Sequence, residues 1–333
     1  MSRIAIACAF VVGCVPAPKR GTSTLAWVDD VSLTARTPAR TPAAVITVAD
    51  SYRAVAAKII AAARADRGAY DKLRVLTDTI GHRLAGSRAL DDAIAWAAKV
   101  MRDDGHDVRT EEVMVPHWVR GAESGSILTP EPRPLRLIGL GGTVSTPKGG
   151  LTAPVVVIRS WEELETRKAE VAGSIVLYDV AMPAWSKAKG SGYGDVVAYR
   201  YAGAIQAAKR GAVGVLMRSV TARSLNTPHT GAMGYDDKVK KIPAAAVTIE
   251  DANLIARLAA GGDKVTVKLD LQSKTLPDAK SANVIGELKG RELPDEVVVI
   301  AAHIDSWDVG QGAHDDGTGV VMMMQALTTL RTL

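Results

Sequence analysis

The chain has 333 residues, 47% of them hydrophobic and only 4% aromatic, which suffices for one large domain or two smaller ones with cores of small aliphatic side chains. The net charge of +5 is spread over Lys and Arg interleaved with Asp and Glu, and no basic stripe carries aromatics, which excludes a nucleic-acid-binding surface. Cysteine occurs only at Cys8 and Cys14, so disulfides, thiolate metal ligands and cysteine nucleophiles are excluded for the rest of the chain.

Residues 1–20 read as an export signal, with Arg3 as the positive start and residues 4–12 as a short apolar stretch. "VVGC" (11–14) resembles a bacterial lipobox ending on Cys14, and a plain cleaved peptide is the alternative. No stretch is long enough to form a permanent membrane span. Residues 21–48, rich in Pro, Thr and Ala, read as a tether. Residues 49–115 read as the first layer of an α/β domain. Helical patterning covers 49–63 and 70–79, with Leu73, Leu76 and Ile80 on one stripe. "GHRLAGS" (81–87) breaks it, and a helix resumes over 89–101 with Ile94, Ala97, Ala98 and Met101 at helical spacing. A strand follows over 108–115.

From Pro116 the texture changes. Pro130, Pro132, Pro134, Pro147 and Pro154 punctuate short β-like runs at 135–140, 155–158 and 175–178. Residues 199–210 read as a helix and 212–217 as a strand, followed by a polar loop, "KIPAAAVTIEDANLIARLAAGG" and a strand over 264–271. Residues 116–273 are therefore expected as an inserted β-rich domain with two helices. Residues 274–333 then return to the first domain. Strands over 283–288 and 296–300 are expected to pair, the second apolar without alternation and so buried on both faces. A helix over 319–331 closes the chain.

Directly behind that last strand stands "AAHIDSWDVGQGAHDDGTG" (301–319). His303 and Asp305 are two residues apart and project to one face of an extended backbone. Asp315 and Asp316 follow a Gly-rich loop and precede the helix. Ligand sites of open α/β sheets gather at such strand ends. Carboxylates crowded together repel one another unless a divalent cation lies between them. Imidazole plus carboxylate without thiolate suits hydrolytic zinc, with Asp305 able to orient the His303 ring from its other nitrogen. The alternative is an Asp/Gly-rich surface loop with Asp316 or Thr318 capping the helix. Residue chemistry alone leaves both readings open.

The stretch "HIDSWDVGQGAHDDGTG" resembles the carboxypeptidase Q-like metallopeptidases of the co-catalytic two-zinc aminopeptidase clan, which also holds glutamate carboxypeptidase II and the transferrin receptor. "LTDTIGHRLAGSRALDDAIAWAAKVMRDDG", "VPHWVRGAES", "SVTARSLNTPHTG" and "KIPAAAVTIEDA" resemble family segments in the same order. The resemblance implies a zinc-exopeptidase-like α/β domain with a mostly parallel sheet, interrupted by a protease-associated-like domain. It implies two zinc ions acting on dipeptides or short peptides with unsubstituted termini. By motif position His303 ligates one zinc, Asp315 bridges both, Asp305 orients His303, and Asp316 follows a peptide bond that the family holds cis. Further expected ligands and the general-base glutamate follow later in the family pattern, so the chain reads as a fragment without them, and catalytically silent. His314 neighbours the site without ligating. His117 and His229 are candidates for facing substrate, with local packing as the alternative. His82 and His106 read as surface or capping residues, and residues 322–324 as core filling. A peptide substrate is the expected partner, and homodimerisation and membrane attachment through a lipidated Cys14 stay open. The alternatives to a zinc exopeptidase are a non-catalytic receptor-like protein and a glutaminyl-cyclase-type zinc acyltransferase.

Overall fold

The computed structural model describes Ser2–Ala7 and residues 47–333 other than 224. Cys8, Cys14 and all but the last residues of the tether lie outside the described residues. The chain divides into two compact units, Met1–Val113 with Ser281–Leu333, and Met114–Lys280.

The first unit begins with β1 (Ser2–Ala7), α1 (Val48–Ala65) and α2 (Gly68–Arg74), which runs into a wider helical turn over Val75–Ile80. There the Gly81 N–H reaches back five residues to the Leu76 carbonyl at 3.0 Å. α3 (Arg88–Asp103) starts where the Ser87 hydroxyl accepts the Leu90 N–H at 3.2 Å. Its buried stripe is Leu90, Ala93, Ile94, Ala97, Ala98 and Met101, the face expected from the spacing plus one turn.

β2 (Asp107–Val119) carries the chain into the second unit. That unit holds β3 (Glu123–Thr129), β4 (Arg133–Pro134), β5 (Leu137–Gly139), β6 (Leu151–Ile158), α4 (Trp161–Thr166), α5 (Lys168–Val171), β7 (Ile175–Tyr178) and α6 (Tyr193–Ala208). β8 (Gly214–Arg218), β9 (Ala244–Val247), α7 (Ile249–Ala260) and β10 (Thr266–Leu271) complete it. Its sheet runs β4-β3-β10-β6-β7-β8-β9-β5, with β6, β7, β8 and β9 parallel. Neighbouring residues of these apolar strands enter separate cores. Ile158, Tyr178, Met217 and Ala246 face one side with Ala204 and Ala207 of α6. Val157, Leu177, Leu216 and Ala245 face the other with Ile255 and Ala256 of α7. Uninterrupted apolar runs are what a parallel sheet covered on both faces requires.

β11 (Lys274–Leu288) returns the chain to the first unit, followed by β12 (Leu293–Ala301) and α8 (Thr318–Thr332). The first-unit core joins the α3 stripe to Val284 of β11, to Ala302 and Ile304 just past β12, and to Val320, Met324 and Leu327 of α8. Met324 fills the core as expected, whereas Met322 is exposed.

Three expectations need correction. β11 and β12 do not pair with each other, because β1 lies between them, antiparallel to β11 and parallel to β12, in the sheet order β12-β1-β11-β2. The start of the segment read as an export signal is thus a strand here. β12 is not buried on both faces: it is the edge strand, and among the described residues nothing closes over its middle, so Val297, Val298 and Val299 stay 53%, 48% and 59% exposed. His106 is not a surface residue but 6% exposed, because α8 packs on the turn that holds it.

Candidate metal centre

The backbone stays extended past the end of β12. Ala302 and Ile304 point into the core, so His303 and Asp305 point the other way, each partly exposed. The His303 Nδ1 lies 3.2 Å from the Asp305 Oδ1 and 3.1 Å from the Asp305 carbonyl oxygen. Its Nε2 lies 3.0 Å from the Asp315 Oδ1. The hydrogen bond to the Asp305 carboxylate pushes the imidazole up to about 9, against the opposing effect of burial and with help from Asp315.

The loop between the two carboxylates depends on glycine. Gly312 has φ 59° and accepts the Gly317 N–H at 3.0 Å on its carbonyl. A Cβ at Gly312 would stand 2.3 Å from the Ser306 Cβ. The backbone at Asp315 and Asp316 leaves the helical region, and the peptide bond joining them is cis. This turn sends the two acids apart. The Asp315 carboxylate goes to His303, while the Asp316 Oδ1 accepts the Gly319 N–H at 3.1 Å at the start of α8. The adjacent pair Asp315 and Asp316 therefore supplies both a carboxylate for the His303 cluster and a helix cap. His314 is exposed, and its carbonyl accepts the Thr318 hydroxyl at 3.1 Å.

Two ligands of one tetrahedral zinc, each at ~2 Å, stand roughly 3.3 Å apart. The 3.0 Å between the His303 Nε2 and the Asp315 Oδ1 fits that spacing, and Asp305 occupies the ring's other nitrogen. The donor set is nonetheless short. Among the described residues, no group of three or more His, Cys, Asp or Glu side chains is arranged to hold a metal ion. The residues present fit one side of a coordination shell.

His117 and His229 belong to the second unit. The His229 Nδ1 is engaged by the Val220 carbonyl at 2.8 Å, and its backbone N–H by the Ser219 hydroxyl at 2.9 Å, which is the local packing alternative. His82 is exposed. Sequence reasoning missed Arg83, which is fully buried beneath the loop. "GHRLAGS" reads as a helix break within a family-like segment, with no role for Arg83. The signal was present as an arginine inside a short Gly-bounded turn flanked by apolar helices.

Residues 283–332 match the model of Peptidase family M28. The chain is 42% identical over 287 residues to carboxypeptidase Q of Xenopus laevis, covering 85% of this chain and 60% of that protein. A crystal structure of a Peptidase M28 precursor from Shewanella amazonensis superposes with TM-score 0.81 at 37% identity, covering 85% of this chain and 64% of that one. A zinc aminopeptidase from Bacillus subtilis shares the fold with TM-score 0.58 at 24% identity, over 80% of this chain and 58% of that one. The chain thus spans less than two thirds of the length of these relatives.

Proposed function

We propose, taking residues 283–332 as a Peptidase family M28 segment, that this chain carries the first ligands of a zinc exopeptidase acting on dipeptides or short peptides. The observation that carries the reading is the His303 ring, anchored by Asp305 on one nitrogen and presenting the other to Asp315 at 3.0 Å. In this reading His303 and Asp315 would hold zinc, which would supply an activated water and a Lewis acid for the scissile carbonyl.

The chain's own residues have simpler tasks. Asp305 accepts a hydrogen bond at the His303 Nδ1, which keeps the Nε2 aimed at the metal position and raises its basicity. Metal binding must displace the proton of that raised imidazole, so affinity depends on pH. Asp315, 79% exposed at its side chain, stays open to a second ion and to substrate. Asp316 fixes the turn from the α8 side.

Two ligands alone make a weak metal site. The second unit is read as a protease-associated-like domain inserted into the peptidase domain. Equilibrium dialysis against zinc tests the site. The expected result is weak uptake by the full chain, loss of it in His303→Ala, and no turnover of dipeptides. Equal uptake by both proteins would sink the reading.

Export belongs to the same proposal, with residues 1–20 as signal and lipid attachment at Cys14, and processing there would remove β1 from the sheet. Among the described residues no helix is long and apolar enough to cross a membrane. Intact-mass measurement of the protein from a bacterial envelope fraction checks this, and an unprocessed Met1 there would contradict it.

A further inference from the structure

Arg83 is 0% exposed, yet it has no carboxylate among its hydrogen-bond partners. Its guanidinium donates only to backbone carbonyls. The Nε reaches Ile304 at 2.7 Å, one Nη reaches Gly81 at 2.5 Å and Gln311 at 2.7 Å, and the other reaches Gly312 at 3.1 Å. The backbone adds a reciprocal pair. The Arg83 N–H donates to the Ser306 hydroxyl at 3.0 Å, and the Ser306 N–H donates to the Arg83 carbonyl at 3.0 Å.

The positions of these acceptors matter more than their number. Ile304 lies between His303 and Asp305. Gln311 and Gly312 open the turn that delivers Asp315. One rigid planar fork therefore ties together the two backbone segments whose side chains meet at His303 and Asp315. The Gly312 carbonyl is shared, since it also accepts the Gly317 N–H on the far side of Asp315. Burying a guanidinium costs several kcal/mol that hydrogen bonds must offset. An apolar side chain would fill the same volume without that cost, but it would take the Arg83 donors away from the Gly81, Ile304 and Gln311 carbonyls. Volume therefore does not account for an arginine here, whereas the span of its donors does.

The geometry points to Arg83 as a positioning residue that sets the spacing of His303 and Asp315 by fixing the loop backbone from below. It touches neither metal nor substrate. Its consequence for zinc rests on the function proposed above, and its action on the loop does not. Lysine keeps the charge but offers a single ammonium in place of the fork, so it cannot serve acceptors on both sides of the loop.

The test uses the full chain as wild type, Arg83→Lys and Gly312→Ala, with His303→Ala as the metal control. Gly312→Ala disturbs the clamp from the loop side, since its Cβ would meet the Ser306 Cβ at 2.3 Å and the Arg83 Nη2 at 2.9 Å. Hydrogen exchange of the metal-free proteins is read over residues 303–317 and, as reference, over β7 and β8. Cobalt(II) or zinc titration with visible absorption then reads metal affinity. The expected result for Arg83→Lys is faster exchange confined to 303–317, with metal binding weaker by about 10–100-fold. Gly312→Ala should show the same local pattern. Wild-type exchange and affinity in Arg83→Lys would overturn the inference, as would uniform loss of protection across β7 and β8. If wild type and His303→Ala take up metal equally, the zinc reading fails, and the exchange comparison still decides whether Arg83 holds the loop.

Discussion

His106 has one engaged ring nitrogen and one idle one. Its Nε2 lies 3.1 Å from the Thr328 hydroxyl, which in turn donates to the Asp104 Oδ2 at 2.9 Å, while Lys72 pairs with the same carboxylate oxygen at 2.8 Å. The Nδ1 is buried with no hydrogen-bond partner among the described residues. Burial therefore holds the imidazole below its ordinary value, with Asp104 opposing and Arg331 and Lys72 adding to the depression. The sign follows from linkage. The folded ring stays neutral at a pH where the unfolded ring, with an ordinary value of about 6.5, already takes a proton. Stability is unaffected above that value, falls as pH drops through it, and stops falling below the depressed folded value. Urea titrations between pH 5 and 7.5 should show this slope in the wild type and lose it in His106→Gln. An unchanged slope in the variant would assign the acid sensitivity elsewhere. Sequence placed His106 in a helix-ending turn correctly but could not foresee Thr328 across it. The partner is 222 positions away, and nothing in "DDGHD" encodes a helix packed on top. His303 and Asp305 are different, because a two-residue spacing at a strand end fixes their common direction locally.

Among the elements, those with periodic apolar faces were legible and those defined by distant neighbours were not. The 89–101 helix was read from Ile94, Ala97, Ala98 and Met101, and all four are buried in α3. β7 matches its four-residue apolar run to the residue. α4 was missed although its start is written in the sequence. Ser160 accepts the Glu163 N–H at 3.0 Å, and the Glu163 carboxylate turns back to the Arg159 N–H at 2.7 Å, close to a capping box. β12 failed for another reason. Val297, Val298 and Val299 describe a strand suited to burial, but burial depends on layers above and below it. Here it is an edge with three consecutive valines half-exposed, the kind of feature that invites strand pairing between molecules. Sedimentation velocity should show concentration-dependent association of the wild-type chain and a shift toward monomer in Val298→Lys. Because Val298 is half-exposed, the variant's unfolding free energy should stay within about 0.5 kcal/mol of wild type. A wild type that stays monomeric at every concentration would show that the edge is harmless.

At the scale of the whole molecule, composition indicates cores of small side chains and patterning an α/β protein, and the structure agrees. The parallel strands β6 to β9 pack Ala, Val, Leu and Ile on both faces, and the ring contacts cluster at Trp161, Tyr178 and Tyr199. Charge told less, since Arg83 is one of 41 basic residues and only the fold reveals that it faces inward. The passage between units has its own meaning. The chain leaves the first unit within β2 and re-enters it within β11, and these two strands are neighbours in one sheet. A tight hairpin joining the two strands in place of residues 114–280 would therefore keep them side by side in that sheet.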